Sequence, residues 1–162
     1  MSPYEQVKAE LDKLDVPFNI VEHPAVYTTE VADEYIKGKI GVRTKSLFLT
    51  DNKKHHFYLV FMDDDKRLDM NRFAEIVGEK HVKFASEASL MEKLGLKPGV
   101  VSIFGLMNNK AKDVQVYFEK DIVGDEPLTF HPNDNTKTIF VAMTGLEKFL
   151  KDLGFEYHII TM

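Results

Sequence analysis

The chain has 162 residues and a net charge of −5, with 44% hydrophobic residues, twelve Phe and no Trp. That length suits one domain with a proper core, since a chain of this size buries about 70% of its unfolded surface. The absence of Cys excludes disulfides, thiolate nucleophiles and thiolate-held metals. The acidic balance argues against a non-specific nucleic-acid coat but leaves room for a local basic patch.

The N-terminal stretch MSPYEQVKAEL is charged and amphipathic and lacks a signal-peptide pattern. No apolar run approaches the roughly 18 residues of a membrane span. A cytoplasmic setting without a membrane partner is therefore expected. Ser2-Pro3 with Glu5 predicts a capped helix start, and Leu11 and Leu14 continue its apolar face until Val16-Pro17 ends it. Phe18 to Val21 reads as a short strand, followed by a turn at His23-Pro24. Thr28 or Thr29 caps a helix over 30–36 that stops near Gly38. SLFLT (46–50) and HFYLVFM (56–62) flank a polar stretch and predict a β-hairpin in the sheet core. Helical spacing covers 68–77, stopped by Gly78, and Ser86 caps a helix to Leu94, stopped by Gly95. VQVYF (114–118) and the segment 138–141 are further strands. Thr144 is expected to cap a helix over 145–153, and 157–160 closes the chain as a strand. Helices and strands mix without βαβ regularity. The expected class is α+β, with a mixed, mainly antiparallel sheet and packed helices, in a single domain over 1–162.

No phosphate-binding GxxxxGK[ST], no GxGxxG after a strand and no GxSxG elbow is present. His55-His56 lie next to each other in a strand context, where neighbours point to opposite faces, so a solvated turn is the better reading than a metal pair. Asp63-Asp64-Asp65 follows a strand and precedes Lys66-Arg67, which favours a charged turn over a magnesium site. No metal or other cofactor is called for. IKGKIGVRTK (36–45) carries Lys37, Lys39, Arg43 and Lys45 without an acid. It reads as a solvated basic loop, except for Lys45, which abuts the apolar run 46–50 and stands where it can reach a cleft. GLKPGVVSIFG (95–105) is either a tight helix-to-strand connection or a nest of amides near Gly99 suited to an oxyanion. HPNDNT (131–136) is either Asx-turn chemistry or a functional polar cluster.

TKSLFL, then LGLKPGVVSIFGL, then HPNDNT, then LEKFLKDLG occur in an order and spacing that resembles the YbaK/ProX family. The similarity is to its free-standing prolyl-tRNA editing branch, and EHPAVYTTEVA near the N-terminus matches that pattern too. The resemblance runs from about Val7 to Gly154. It implies an editing-domain fold related to the insertion domain of bacterial prolyl-tRNA synthetases. It also implies hydrolysis of the ester joining a wrong amino acid, most often alanine, to proline tRNA. Lys45 falls on the family's functional lysine, Gly99 on the first glycine of its GxxxP loop, and His131 on the histidine of its HPxxNT-like loop, with Asn135 and Thr136 matching that loop's end. One departure stands out: the proline of GxxxP, which would fix φ, is Ile103 here.

On that resemblance the expected mechanism is direct attack by water on an already activated ester. Lys45 anchors the terminal adenosine or polarises the ester, since an ammonium is no base unless burial deprotonates it. Amides of Gly99, Val100, Val101 and Ser102 cradle the carbonyl or the amino-acid end, His131 orients the loop or the substrate, and Asn135 and Thr136 are expected to contact the substrate too. Lys37, Lys39 and Arg43, with Lys110 and Lys112, are expected to hold the tRNA acceptor stem. Partners are mischarged proline tRNA and, as a candidate, prolyl-tRNA synthetase. The alternatives are a deacylase of another small aminoacyl-tRNA, charged with Cys or Ser, and a non-catalytic aminoacyl-tRNA binding module.

Overall fold

The computed structural model describes residues 1–162. In chain order its first half holds α1 (Pro3–Lys13), β1 (Phe18–Glu22), α2 (Thr29–Tyr35), β2 (Thr44–Asp51), β3 (Phe57–Asp63), α3 (Met70–Val77) and β4 (Val82–Phe84). The second half holds α4 (Glu87–Leu94), a 3-10 helix (Ile103–Asn108), β5 (Val114–Glu119), β6 (Leu128–Phe130), β7 (Lys137–Val141), α5 (Met143–Leu153) and β8 (Tyr157–Ile160). A second short 3-10 turn, Lys120–Ile122, follows β5.

β3 explains the layering. Its Phe57, Leu59 and Phe61 join one apolar cluster, and its Tyr58 and Val60 join another. Side chains alternate across a strand, so a strand apolar at every position must be covered on both faces. β3 accordingly lies inside a five-stranded sheet of order β4-β2-β3-β5-β8. β4-β2-β3 pair antiparallel, and β5 and β8 add in parallel. Phe73 of α3 is fully buried and packs on the Tyr58 face, edge-on to that ring at 5.6 Å between centroids. The other face meets the larger cluster, to which Val7 and Leu11 of α1, Leu90 and Leu94 of α4, and Leu146, Phe149 and Leu150 of α5 belong.

A second, three-stranded antiparallel sheet has the order β1-β7-β6. It meets the first along a seam just before β2. Val42 bridges Leu128 in parallel, and its amide donates to the Pro127 carbonyl at 2.8 Å. Thr129 Oγ1 donates to the Val42 carbonyl at 2.9 Å and accepts from the Thr44 amide at 3.3 Å, and the Thr44 hydroxyl donates to the Thr129 carbonyl. Leu128, Phe130, Ile139 and Val141 of this smaller sheet lie in the same cluster as Phe48, Leu59 and Phe61 of the larger one.

The expected α+β class holds, with four of the six strand pairings antiparallel. The helix caps follow the sequence at Ser2, Thr28 and Ser86, each accepting an amide three residues on. Three details differ. The helix expected from Leu68 starts at Met70, because the Asp69 carboxylate accepts the Arg72 amide. The helix expected after a Thr144 cap starts at Met143 with no side-chain cap. Met143 and Gly145 are drawn into the core, and a Cβ on Gly145 would meet Val16 Cγ1 at 2.6 Å. The stretch 95–105 is not simply a connection: Ser102 caps the 3-10 helix by accepting the Phe104 amide, and Ile103 is completely buried.

Candidate functional site

A cleft of about 280 Å³ opens where the two sheets meet. β2 supplies one wall through Thr44, Lys45, Ser46 and Leu47, a stretch whose neighbours along the chain form the seam. The end of β6 and the residue after it supply Thr129, Phe130 and His131, and β7 supplies Thr138. α2 and the turn before it close a third side with Tyr27, Thr28, Thr29, Ala32 and Asp33, and Gly99 and Val101 complete the rim. Lys45, Gly99, Val101 and His131, expected on one site from sequence, therefore do share one cleft.

Lys45 sits near the start of β2 opposite Met62 of β3, half-buried. Its Nζ donates to the backbone carbonyl of Lys66. That partner is neutral, so the ammonium keeps its charge for an anion entering the cleft. Gly99 has φ +89°, a region that an L side chain adopts only with strain. A Cβ there would have only Tyr27 Cδ1 near it, at 4.0 Å, so the glycine serves backbone conformation and not close packing. The Gly99 and Val101 amides have no acceptor within the protein, whereas the Val100 amide donates to the Lys97 carbonyl at 3.2 Å. Two rim amides are thus free for a ligand oxygen. Ile103, buried at the start of the 3-10 helix, anchors this loop where a proline would have stiffened it.

His131 Nδ1 lies 2.9 Å from the Lys137 carbonyl, which can only accept. The proton is on Nδ1, and Nε2 of the neutral ring is an acceptor. Burial holds the imidazole below the ordinary histidine range, and the nearby His23 adds to this. The hydrogen bond to Lys137 works against the shift without reversing it. The His23 ring stands edge-on to it at 6.2 Å and is itself fixed: Nδ1 donates to the Pro24 carbonyl, and Nε2 is hydrogen-bonded with the Thr138 hydroxyl, both at 2.9 Å.

The remaining expected contacts fall elsewhere. Val100 closes its turn and packs against the core. Ser102 is fully buried, capping the 3-10 helix and donating to Asn133 Oδ1 at 3.0 Å. Asn135 donates through Nδ2 to the Val26 carbonyl at 2.9 Å and accepts the Val26 amide at 3.1 Å, and the Thr136 carbonyl accepts the His23 amide at 2.9 Å. These residues hold the segment 23–26 against the 131–136 loop and do not line the cleft. Arg43, expected on the acceptor stem, instead clamps its own loop. Its guanidinium donates to the Gly41, Ile36 and Lys39 carbonyls, each at 2.8 Å. Lys37 and Lys39 are exposed beyond α2, and Lys110 and Lys112 lie away from the cleft, with Lys112 over the Phe155 ring.

Two groupings could in principle hold a cation: Asp51, His56 and Glu79, and Asp63, Asp64 and Asp65. In the first, Asp51 Oδ1 already accepts the His55 and His56 amides and shapes the hairpin turn. In the second, Asp63 Oδ1 accepts the Asp65 amide. Asp64 stands against Asp33, its carboxyl pushed up to about 8 by burial and by that neighbour, so it carries a proton at neutral pH and is a poor ligand.

The sequence reading missed Asp33, Tyr27 and the five threonines of the cleft wall, Thr28, Thr29, Thr44, Thr129 and Thr138. Only the proximity of TT to the His23 turn hinted at them.

The description "Aminoacyl-tRNA editing domain" matches residues 23–149. The chain is 35% identical to "Prolyl-tRNA editing protein ProX" of Acetoanaerobium sticklandii, across 100% of this chain and 99% of that one. It is 31% identical to "Prolyl-tRNA synthetase associated domain-containing protein 1" of Xenopus laevis, across 96% of this chain and 95% of the relative. Among solved structures it superposes on one described as a candidate trans-editing enzyme for prolyl tRNA synthetase. The TM-score is 0.74 at 19% identity, covering 100% of this chain and 98% of that one, a likeness of fold.

Proposed function

The chain belongs to the aminoacyl-tRNA editing family, and from that premise we propose that it is a trans-acting deacylase that hydrolyses mischarged proline tRNA, alanine being the amino acid it removes. The observation that carries this is the meeting of Lys45, Gly99, Val101 and His131 on one cleft. No helix is long and apolar enough to cross a membrane.

The site's chemistry suits an ester that is already activated and needs positioning and charge stabilisation. The Lys45 ammonium attracts the terminal phosphate or polarises the ester carbonyl. The free amides of Gly99 and Val101 are donors for the oxyanion that forms when water adds to that carbonyl. Neutral His131 offers Nε2 to the attacking water or to the ribose 2′-hydroxyl that orders it. Apolar Ala32, Leu47, Val101 and Phe130 bound the space left for the amino-acid side chain. Selection against proline works by exclusion, because a missing methylene changes attraction by only about 1–3 kcal/mol, whereas a wall that a ring cannot pass rejects it outright. Exposed Lys37 and Lys39 add attraction to the acceptor stem, so binding weakens as salt rises.

Deacylation of alanyl-, cysteinyl-, seryl- and prolyl-tRNA by the purified protein tests the reading. Alanyl-tRNA is expected to be cleaved and prolyl-tRNA spared. Cleavage of cysteinyl- or seryl-tRNA alone would reassign the substrate, and inertness toward all four would leave a binding module. Lys45→Ala is expected to lower turnover by about a hundredfold or more, the cost of deleting one oxyanion-stabilising donor. Its thermal unfolding should stay near that of the wild type, because the side chain is half-buried and its partner carbonyl can turn to water.

A further inference from the structure

Asp33 is the one carboxylate among the residues lining the cleft, and it is half-buried on the α2 wall. It makes no ion pair: the acids paired with cations are Asp12, Glu10, Asp152, Glu79, Asp121, Glu75, Asp113 and Asp134. Lys45, the cation of the same cleft, is held by the Lys66 carbonyl instead.

Behind Asp33 stands Asp64, at the turn after β3. The Asp64 amide donates to the Arg43 carbonyl at 3.0 Å, which fixes this turn beneath α2. Its Oδ2 is buried with no donor to satisfy it. Burial first, and then the neighbouring Asp33, push the Asp64 carboxyl up to about 8. The charges around Asp64 add to this. Asp63 and Asp65 flank Asp64 on its own turn and raise it further, and the Arg43 guanidinium is spent on three carbonyls. Asp33 lines the open cleft with no cation paired to it. A carboxylate that lines a cleft and is left without a cation is placed to receive one.

The substrate class supplies that cation. An aminoacyl ester carries a free α-ammonium one carbon from the carbonyl that water attacks. We propose that Asp33 reads this α-ammonium, so that the cleft selects esters of unblocked amino acids; this rests on the deacylase reading above. Lys45, His131 and the rim amides then handle the ester, and Asp33 fixes the opposite end of the same short residue.

The experiment compares alanyl-tRNA with lactyl-tRNA, in which a hydroxyl replaces the α-ammonium at nearly the same size. It is run at about pH 6.5, below the usual α-amino pKa, and each kcat/KM is divided by the uncatalysed hydrolysis rate of the same ester. For the wild type the alanyl-to-lactyl ratio should be about ten or more, the weight of one charge-assisted hydrogen bond. Asp33→Asn should bring the ratio close to one by losing rate on alanyl-tRNA while keeping its rate on lactyl-tRNA, and Asp33→Glu should recover much of it. Asp33→Ser carries the same comparison should the amide variant fail to fold. A wild-type enzyme active on alanyl-tRNA whose Asn and Ser variants keep the wild-type ratio overturns the role of Asp33 alone. A wild type inert toward both esters overturns the deacylase reading with it.

Discussion

His131 shows how a loop histidine acquires one usable nitrogen. The Lys137 carbonyl takes the Nδ1 proton, burial keeps the ring neutral, and Nε2 is left as an acceptor at the cleft. Because the folded pKa lies below the unfolded value of about 6.5, the unfolded chain binds the proton more tightly. The stability that neutral His131 contributes is complete above that value and is lost as pH falls through the folded pKa. Titrating the imidazole by NMR should give a midpoint below 6.5. The stability gap between wild type and His131→Gln should also narrow as pH is lowered from about 7.5 to about 5. A midpoint at or above about 6.5, or a gap independent of pH, contradicts this account. The residues that could be read from sequence, Lys45, Gly99 and His131, each broke a local pattern: a cation against an apolar run, a glycine in a rim, a histidine in a polar turn. Asp33 broke none. An acid on a short helix with Glu30 and Glu34 nearby looks like an ordinary solvated face, and only its place in the cleft wall distinguishes it.

At the scale of elements, the 131–136 loop works as a clasp more than as a set of substrate contacts. Its Asn135 side chain and backbone bracket Val26, its Thr136 carbonyl holds the His23 amide, and its Asn133 receives the Ser102 hydroxyl. One loop thereby sets the position of α2 on one side and of the glycine rim on the other. Asn135→Ala removes the bond to the Val26 carbonyl and should cost about 1 kcal/mol of stability, the net worth of one hydrogen bond. It should also raise KM for alanyl-tRNA more than it lowers kcat, since Tyr27 to Asp33 would be held less firmly while the residues proposed to handle the ester stay in place. Thermal unfolding and steady-state deacylation measure both effects, and a fall in kcat at unchanged KM would mean Asn135 touches the reaction directly. The long strands and the Ser- and Thr-capped helices were legible because periodicity and caps are local signals. β4 and β6 were not, because three residues carry no period. The 3-10 helix hid inside a glycine-punctuated run, where burial of Ile103 and Phe104 decides the conformation, a long-range effect.

The molecule as a whole has two sheets but one large apolar cluster of 26 residues drawn from both. The cleft lies at their junction, so its geometry depends on the seam that Val42, Thr44 and Thr129 make. Thr129→Val keeps the shape and removes the hydroxyl. The Val42 carbonyl retains the Thr129 amide and Thr44 retains its bond to the Thr129 carbonyl, but the buried Thr44 amide loses its acceptor. The expected loss is about 1–3 kcal/mol, the penalty for an unsatisfied buried donor. Because apolar contacts from both sheets are shared, the destabilised protein should still unfold in one transition, with near- and far-ultraviolet circular dichroism coinciding. Deacylation should fall by more than the unfolded fraction accounts for, since Lys45 and His131 stand on opposite sides of the seam, on β2 and just past β6. Two resolved transitions would mean that the sheets unfold separately and that the cleft is a joint between semi-independent bodies. Unchanged turnover in a singly melting variant would show that the cleft holds its geometry without the Thr129 hydroxyl, leaving the shared core as its support.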